Sequence, residues 1–320
     1  MKRVIGQDHA MRAIAPYIEM YSSGLGPEGR PAGVFLLLGP TGTGKTLTVE
    51  ALAETIHGSR RNLLRIDCGE YQLDHEVAKL IGAPPGYLGH RETHPVLTQA
   101  RLASVTSEFS SLSLVLFDEV EKAAPSMTRL MLGMLDKAQL RLGDNNVVNF
   151  ERTLIFMTSN VGAHKMARTL SPGMGFQGGP RTLSQVGARL DSVAMRAARR
   201  AFAPEFLNRI DETLTYQPLS PQVLETILDI QLEEFQQHLN HRLGARAFRI
   251  EVPAKVRRCL LERGCSIEYG AREIRRAVHR HVAQPVARIV VSGLYRPGGV
   301  VRIEMPTEDD QLPGRLPLAA

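Results

Sequence analysis

The 320 residues, 43% hydrophobic and 22% charged, are enough for one large domain plus a smaller one and too apolar for a disordered chain. The absence of tryptophan and a 5% aromatic content argue against an extended base-stacking surface, and a net charge of +6 permits acidic partners, ATP included, without calling for nucleic acid. No run of about 18 uncharged apolar residues argues for a membrane span, and the N-terminus lacks the apolar core of a signal peptide, so a cytoplasmic location is expected. Cys68, Cys259 and Cys265 are too scattered for a disulfide framework or a CxxC zinc pair and read as buried or incidental thiols.

In chain order, Val34 to Leu38 is a short apolar run that stops at a glycine, and a helix is predicted from Leu47 to His57. Asn62 to Asp67, Leu114 to Phe117, Leu154 to Met157 and Thr213 to Tyr216 are further strand candidates, separated by helix-like stretches. That alternation predicts an α/β fold, a doubly wound parallel sheet with helices on both faces and its site at the carboxyl ends of the strands. Arg189 to Arg200 reads as a helix with a solvated basic face. Around residue 217 the character changes. Ser220-Pro221 is an N-cap and first-turn pair, followed by Leu224, Ile227, Leu228, Leu232, Phe235 and Leu239 at helical spacing. Further helices are expected from Pro253 to Arg263 and from near Gly270 to a break at Gln284-Pro285, with short strands at Phe248–Val252 and Val300–Met305. The expected organisation is a large domain over 1–216, a small, mostly α-helical lid over 217–305, and a disordered tail over 306–320.

Gly39, Pro40, Thr41, Gly42, Thr43, Gly44, Lys45 and Thr46 fit the P-loop pattern GxxxxGK[ST]. Its glycines let backbone N–H groups turn inward around phosphate oxygens, Lys45 supplies a point charge to the β- and γ-phosphates, and the Thr46 hydroxyl suits Mg²⁺. Asp118 and Glu119 close the apolar run Leu114 to Phe117. Alone they could be a helix cap or a solvated edge. Downstream of a P-loop, Asp118 suits the Mg²⁺ shell and Glu119 the polarising of an attacking water. Asn160, after Met157-Thr-Ser, is either a turn residue or a polar sensor of that water.

Taken with these motifs, Val4-Ile5-Gly6-Gln7, Gly86-Tyr87-Leu88-Gly89, Pro204-Glu-Phe-Leu-Asn-Arg209-Ile-Asp-Glu212 and Tyr269-Gly-Ala-Arg272 make the chain resemble the Clp-type AAA+ chaperones. The resemblance is to the second, C-terminal ATPase module of ClpA, ClpB and ClpC, and it runs from Lys2 to about Met305. It implies that Val4 and Ile5 lie against adenine, that Asn160 is the first sensor, and that Arg209 is an arginine finger reaching the ATP of a neighbouring subunit. Arg272 would be the second sensor, on the lid. Read without the family, Arg209 is an ion-pair partner for Asp211 or Glu212, and Arg272 a surface charge at a helix start. Tyr87, between glycines, would line a central pore and grip polypeptide; its plain alternative is a turn whose ring packs locally. Met174, Gly175 and Phe176 resemble the tip of the loop that docks a ClpP-type peptidase, or else belong to an ordinary Gly/Pro loop.

The sequence also departs from the family. His90 to Pro95 replaces the usual residues after the pore loop, and the second pore loop, near Arg141 to Val147, keeps its length but not its residues. A Ser/Thr-rich insertion lies between Gln99 and Leu114 and is expected to be a surface loop. A first ATPase ring, an N-terminal substrate domain and a middle coiled coil are not among these residues, which favours unfolding or remodelling over disaggregation. The resemblance therefore implies an ATP- and Mg²⁺-dependent, single-ring, hexameric homo-oligomer that threads protein clients, with a peptidase or adaptor as a possible partner. The alternative is an AAA+ motor or loader on nucleic acid, against which the GYLG and NRIDE segments argue.

Overall fold

The computed structural model describes residues 4–82, 95–170, 183–264 and 270–304, and the chain divides into two compact units, Met1–Gln217 and Pro218–Ala320. In the first, α1 (Asp8–Ser22) leads to β1 (Gly33–Leu38), α2 (Lys45–His57) and β2 (Leu64–Asp67). α3 (Asp74–Ile81) and α4 (Gln99–Ser104) precede β3 (Ser113–Asp118). α5 (Pro125–Lys137) and a hairpin of β4 (Gln139–Arg141) and β5 (Val147–Asn149), where the second pore loop is expected, precede β6 (Thr153–Ser159). α6 (Ala163–Leu170), α7 (Leu183–Ala201) and α8 (Pro204–Leu207) then reach β7 (Glu212–Thr215).

The five-stranded sheet has the order β2-β3-β6-β1-β7 and is parallel throughout. Successive strand side chains point to opposite faces, so a strand covered on both sides needs an unbroken apolar run. Phe35 and Leu37 of β1, Leu114 and Leu116 of β3, and Leu154 and Phe156 of β6 pack with Ala10 and Ile14 of α1 and Val49 and Leu52 of α2. Val34, Leu36, Val115, Phe117, Ile155 and Met157 take the other face, with Leu80 of α3, Met127 and Met131 of α5 and Leu190 of α7. Each such side chain contributes about 1.5–3 kcal/mol by leaving water. The doubly wound architecture is thus as the sequence predicts. From β1 the chain crosses to β2 at one edge, returns through β3 and β6, and passes beyond β1 to β7. The direction of winding reverses beside β1, which opens a crevice at the strand ends there.

The inserted segment forms a short surface loop with pinned ends. Ser107 and Ser110 pair in an isolated bridge, Asn62 Nδ2 donates to Thr106 O (2.9 Å), and Tyr21 Oη and Ser111 Oγ share a hydrogen bond of 2.8 Å. His57, buried at the end of α2, contacts Ser107 Oγ through Nδ1 at 2.9 Å, and burial lowers its pKa. On α7, Leu190, Ala194 and Ala198 face the core while Arg189, Arg196, Arg199 and Arg200 are exposed, so the basic face is solvated.

The second unit contains α9 (Pro221–Leu243), β8 (Arg249–Glu251), α10 (Ala254–Gly264), α11 (Ala271–Val278), α12 (Gln284–Ser292) and β9 (Val300–Arg302). Ser220 caps α9, its Oγ accepting from Val223 N–H. Leu224, Leu228, Leu239, Leu260, Ile274, Val282 and Val286 form its core, and β8 pairs parallel with β9. The break expected at Gln284-Pro285 is not there. α11 runs into α12 through a π turn over His279–Ala283, with Pro285 in the first turn of α12. Proline has no N–H to give and its ring clashes with a regular preceding turn; the wider i→i+5 turn relieves both, so the helix continues. The tail beyond residue 305, with Cys265 and Tyr269, lies outside the described residues. No described helix is long and apolar enough to cross a membrane.

Candidate active site

β1 delivers the chain at Leu38 into the loop Gly39–Gly44, which turns directly into α2, two residues earlier than the periodicity predicts. Gly39, Gly42 and Gly44 have φ of 149°, 76° and 103°, a region that side chains disfavour. A Cβ on Gly39 would lie 2.5 Å from Tyr216 O, whereas one on Gly44 would meet nothing within 4 Å. Lys45, 7% exposed, turns back over the loop: Nζ donates to Gly39 O (2.6 Å), Pro40 O (2.9 Å) and Asn160 Oδ1 (2.8 Å). Thr43 Oγ1 donates to Pro40 O (2.9 Å), and Thr46 sits half-buried in the first turn of α2.

The end of β3, beyond β6, brings in the acids. β3, buried along its length, ends at Asp118, and Glu119 follows with φ 57°. A left-handed glutamate is a strained position, and such strain is commonly held at functional sites. Thr158 Oγ1 donates to Asp118 Oδ1 and accepts the Glu119 N–H at 3.0 Å, so one hydroxyl fixes both acids to β6. Asp118 Oδ2 accepts from Arg65 of β2. Glu119 Oε1 accepts from Asn160 Nδ2 (3.2 Å), and its other oxygen pairs with Lys122. That bond and the Glu119 charge raise the Lys122 pKa. Glu121 Oε1 accepts the Asn160 N–H at 3.0 Å and so orients the residue that touches both Lys45 and Glu119. Cys68 is buried close by; burial first, then Asp67, Asp118, Glu121 and Glu119, push its thiol pKa up, which keeps it protonated and inert.

Gln7 and Tyr216 brace the loop from behind. Gln7, 1% exposed, donates through Nε2 to Thr43 O (3.3 Å) and Gln217 O (2.9 Å). Its buried Oε1 has no hydrogen-bond partner among the described residues. Val4 is buried and Ile5 half-buried at the start of the same segment. Tyr216, wholly buried at the end of the sheet, donates to Thr48 Oγ1 (2.8 Å), which itself donates to Gly44 O (2.9 Å). Tyr216 thus locks α2 to the β7 end. Arg65, Thr158, Glu121, Lys122 and Tyr216 belong to no role the motifs assign; Thr158, Glu121 and Lys122 could have been found only by their nearness in the chain to Asn160, Asp118 and Glu119.

Arg209 and Arg272 take no part in these contacts. Arg209 does not pair with Asp211, which instead accepts the Val34 N–H (2.8 Å) and faces Arg30 (3.5 Å). Nor does it reach Glu212: its guanidinium lies 3.4 Å from Asp136 and 3.8 Å from Glu205, and its Nε is buried without a partner among the described residues. Arg272 is exposed in the first turn of α11. Tyr87, Met174, Gly175 and Phe176 lie outside the described residues.

The residues fit an Mg²⁺-bound nucleoside triphosphate. Three positive-φ glycines before a helix N-terminus form a nest of N–H donors, with a buried lysine over it and two fixed carboxylates at the end of β3. Comparison with known proteins agrees. A family profile described as AAA domain (Cdc48 subfamily) matches residues 30–213, and one described as the C-terminal, D2-small domain of ClpB protein matches residues 219–303. Chaperone protein ClpB of Corynebacterium diphtheriae is 36% identical over 311 residues, covering 97% of this chain and 32% of the relative. ClpB of Nitratidesulfovibrio vulgaris is 36% identical over 315 residues, covering 98% and 34%. The solved S. cerevisiae Hsp104:casein complex in its extended conformation matches with a TM-score of 0.77 at 26% identity, over 93% of this chain and 47% of that one. The chain therefore spans about a third of the length of the curated relatives it matches. With both profiles in order and Asn160 joining the P-loop Lys45 to Glu119, the chain belongs to the Clp-type AAA+ ATPases, as a D2-like module.

Proposed function

We propose that the chain hydrolyses ATP at subunit boundaries of a homo-oligomeric, hexameric ring and converts each turnover into a pull on polypeptide. The observation that carries the hydrolytic half is Asn160, whose amide joins the phosphate-binding Lys45 to Glu119. Lys45 would exchange its loop carbonyls for β- and γ-phosphate oxygens, and the N–H groups of Gly39 to Thr46 would cradle the chain of phosphates. Thr46 and Asp118 would hold Mg²⁺, which when bound offsets phosphate charge. Glu119 takes a proton from the attacking water, and Asn160, held by Glu121, sets the direction in which that carboxylate points. Val4 and Ile5 would lie against the adenine.

Arg209 suits a role in trans. Its contacts with Asp136 and Glu205 are long, so little is lost when the guanidinium turns to a neighbour's γ-phosphate. Arg272 would act as the second sensor. Tyr87 would grip the client in the pore, Met174-Gly175-Phe176 would dock a ClpP-type peptidase, and an adaptor would recruit clients. Protein remodelling is supported by relatives named as ClpB chaperones and a structural neighbour solved with casein, and the cytoplasm would be its setting.

The test is a Glu119→Gln variant. It should bind ATP, hydrolyse it about 10²–10⁴-fold more slowly, and retain client polypeptides identifiable by mass spectrometry. Recovery of nucleic acid alone would overturn the remodelling reading, and undiminished hydrolysis the assignment of Glu119.

A further inference from the structure

We propose that Arg65 is a positioning residue for the metal step: in the nucleotide-free protein its guanidinium takes the cation's place on Asp118, and it must withdraw before Mg²⁺ is held there. This rests on the reading of Asp118 as the Mg²⁺-shell carboxylate. The geometry begins with register. Arg65 of β2 lies opposite Leu116 of β3, and Asp67 lies opposite Asp118. Arg65 and Asp118 are therefore diagonal neighbours on one face of the sheet, a separation that a long side chain spans. Burial along β2 alternates, with Leu64 and Ile66 inside and Arg65 and Asp67 outside.

The two Asp118 oxygens are held differently. Oδ1 is tied to Thr158, an internal hydroxyl that also takes the Glu119 N–H. Oδ2 is tied to Arg65, whose side chain is 48% exposed against 11% for Asp118. One oxygen is thus anchored to the sheet, and the other is paired with a group that can leave into water without being desolvated. Asp67, Asp118, Glu119 and Glu121 crowd this end of the sheet, and Lys122 is already paired with Glu119. A cation on Oδ2 relieves that crowding when no metal is present. Once a divalent ion arrives, two cations on one carboxylate repel, so Arg65 raises the Mg²⁺ concentration the site needs and makes metal and nucleotide arrive together.

The experiment uses the full chain and a fluorescent ATP analogue, titrated with Mg²⁺. Arg65→Gln should lower the Mg²⁺ concentration at half-maximal nucleotide binding by about threefold to fivefold, the upper span of a partly exposed ion pair. Arg65→Lys, which keeps a movable cation, should stay within about twofold of the natural protein. An unchanged or raised requirement in Arg65→Gln overturns the proposal, because a residue that merely orients Asp118 would weaken metal binding when removed. Should that variant fail to fold, the natural protein supplies the second measurement. Modification of Arg65 by an arginine-selective dicarbonyl, followed by mass spectrometry, should speed up severalfold with Mg²⁺ and nucleotide present; protection or no change refutes displacement. If the natural protein binds no nucleotide at all, it is the ATPase reading that fails.

Discussion

Gly39→Ala tests how the P-loop is held. The new Cβ would lie 2.5 Å from Tyr216 O and 2.9 Å from Tyr216 Cβ, and neither can retreat easily. Tyr216 N–H donates to Leu38 O at 2.7 Å and its hydroxyl is bound to Thr48, so both ends of the residue are fixed. Overpacking of this kind costs about 1–3 kcal/mol, and a non-glycine residue at φ 149° about 1–3 kcal/mol more. Gly44→Ala isolates the second term: φ is 103° there, but the added carbon meets nothing within 4 Å. The two variants should therefore differ by about 1–3 kcal/mol. At about 3 °C per kcal/mol for a unit of this size, that is roughly 3–9 °C in the midpoint of thermal unfolding followed by calorimetry. Both should also lose nucleotide binding, while Gly58→Ala, with φ 75° and open space at the far end of α2, should lose stability alone. If Gly39→Ala is no less stable than Gly44→Ala, Tyr216 does not brace the loop.

Arg209→Ala should leave nucleotide affinity within about twofold and stability within about 1 kcal/mol, since its ion pairs are long and partly exposed. Hydrolysis by the assembled protein should fall by about 10³-fold, measured as phosphate release at concentrations above and below assembly; an equal rate in both forms of the natural protein would remove the role in trans. His57 concerns acid stability. Burial lowers its pKa, so the unfolded chain binds the proton more readily than the folded one. The associated stability is complete above the ordinary histidine value of about 6.5 and is lost as pH falls through the lower folded value. His57→Gln, which can still hydrogen-bond Ser107, should shrink the drop in unfolding midpoint between about pH 7.5 and 5.5. An undiminished drop would place that sensitivity on other groups.

Much of the large unit was legible because its strands are covered on both faces. Val34 to Leu38 and Leu114 to Phe117 must be apolar at every position, and the P-loop, the two acids and Asn160 each mark a strand end by chemistry as well as pattern. What stayed hidden depends on pairing across strands. Nothing in the run Leu64-Arg65-Ile66-Asp67 says that Arg65 will meet Asp118, because that contact is set by the register of β2 against β3. Tyr216 likewise reaches Thr48 across 168 positions of chain. The sequence reading of Arg209 as a partner for Asp211 or Glu212 relied on nearness in the chain, whereas Asp211 is committed to β1 and Arg30. Proline was read as a helix break at residue 285 because local rules assume α winding on both sides, and the π turn suspends that assumption.

That π turn carries a consequence for how the lid can vary. The wider turn over His279–Ala283 takes up one surplus residue and so holds back everything after it by about 100° relative to regular winding, which is what brings Val286 into line with Val282 and Ile274 inside. Regular winding with every residue kept would swing Val286 outward and carry exposed Arg288 toward the interior, whereas removing a single position there would restore regular winding and leave Val286 facing in. The segment should therefore accept the loss of one position more readily than the gain of another.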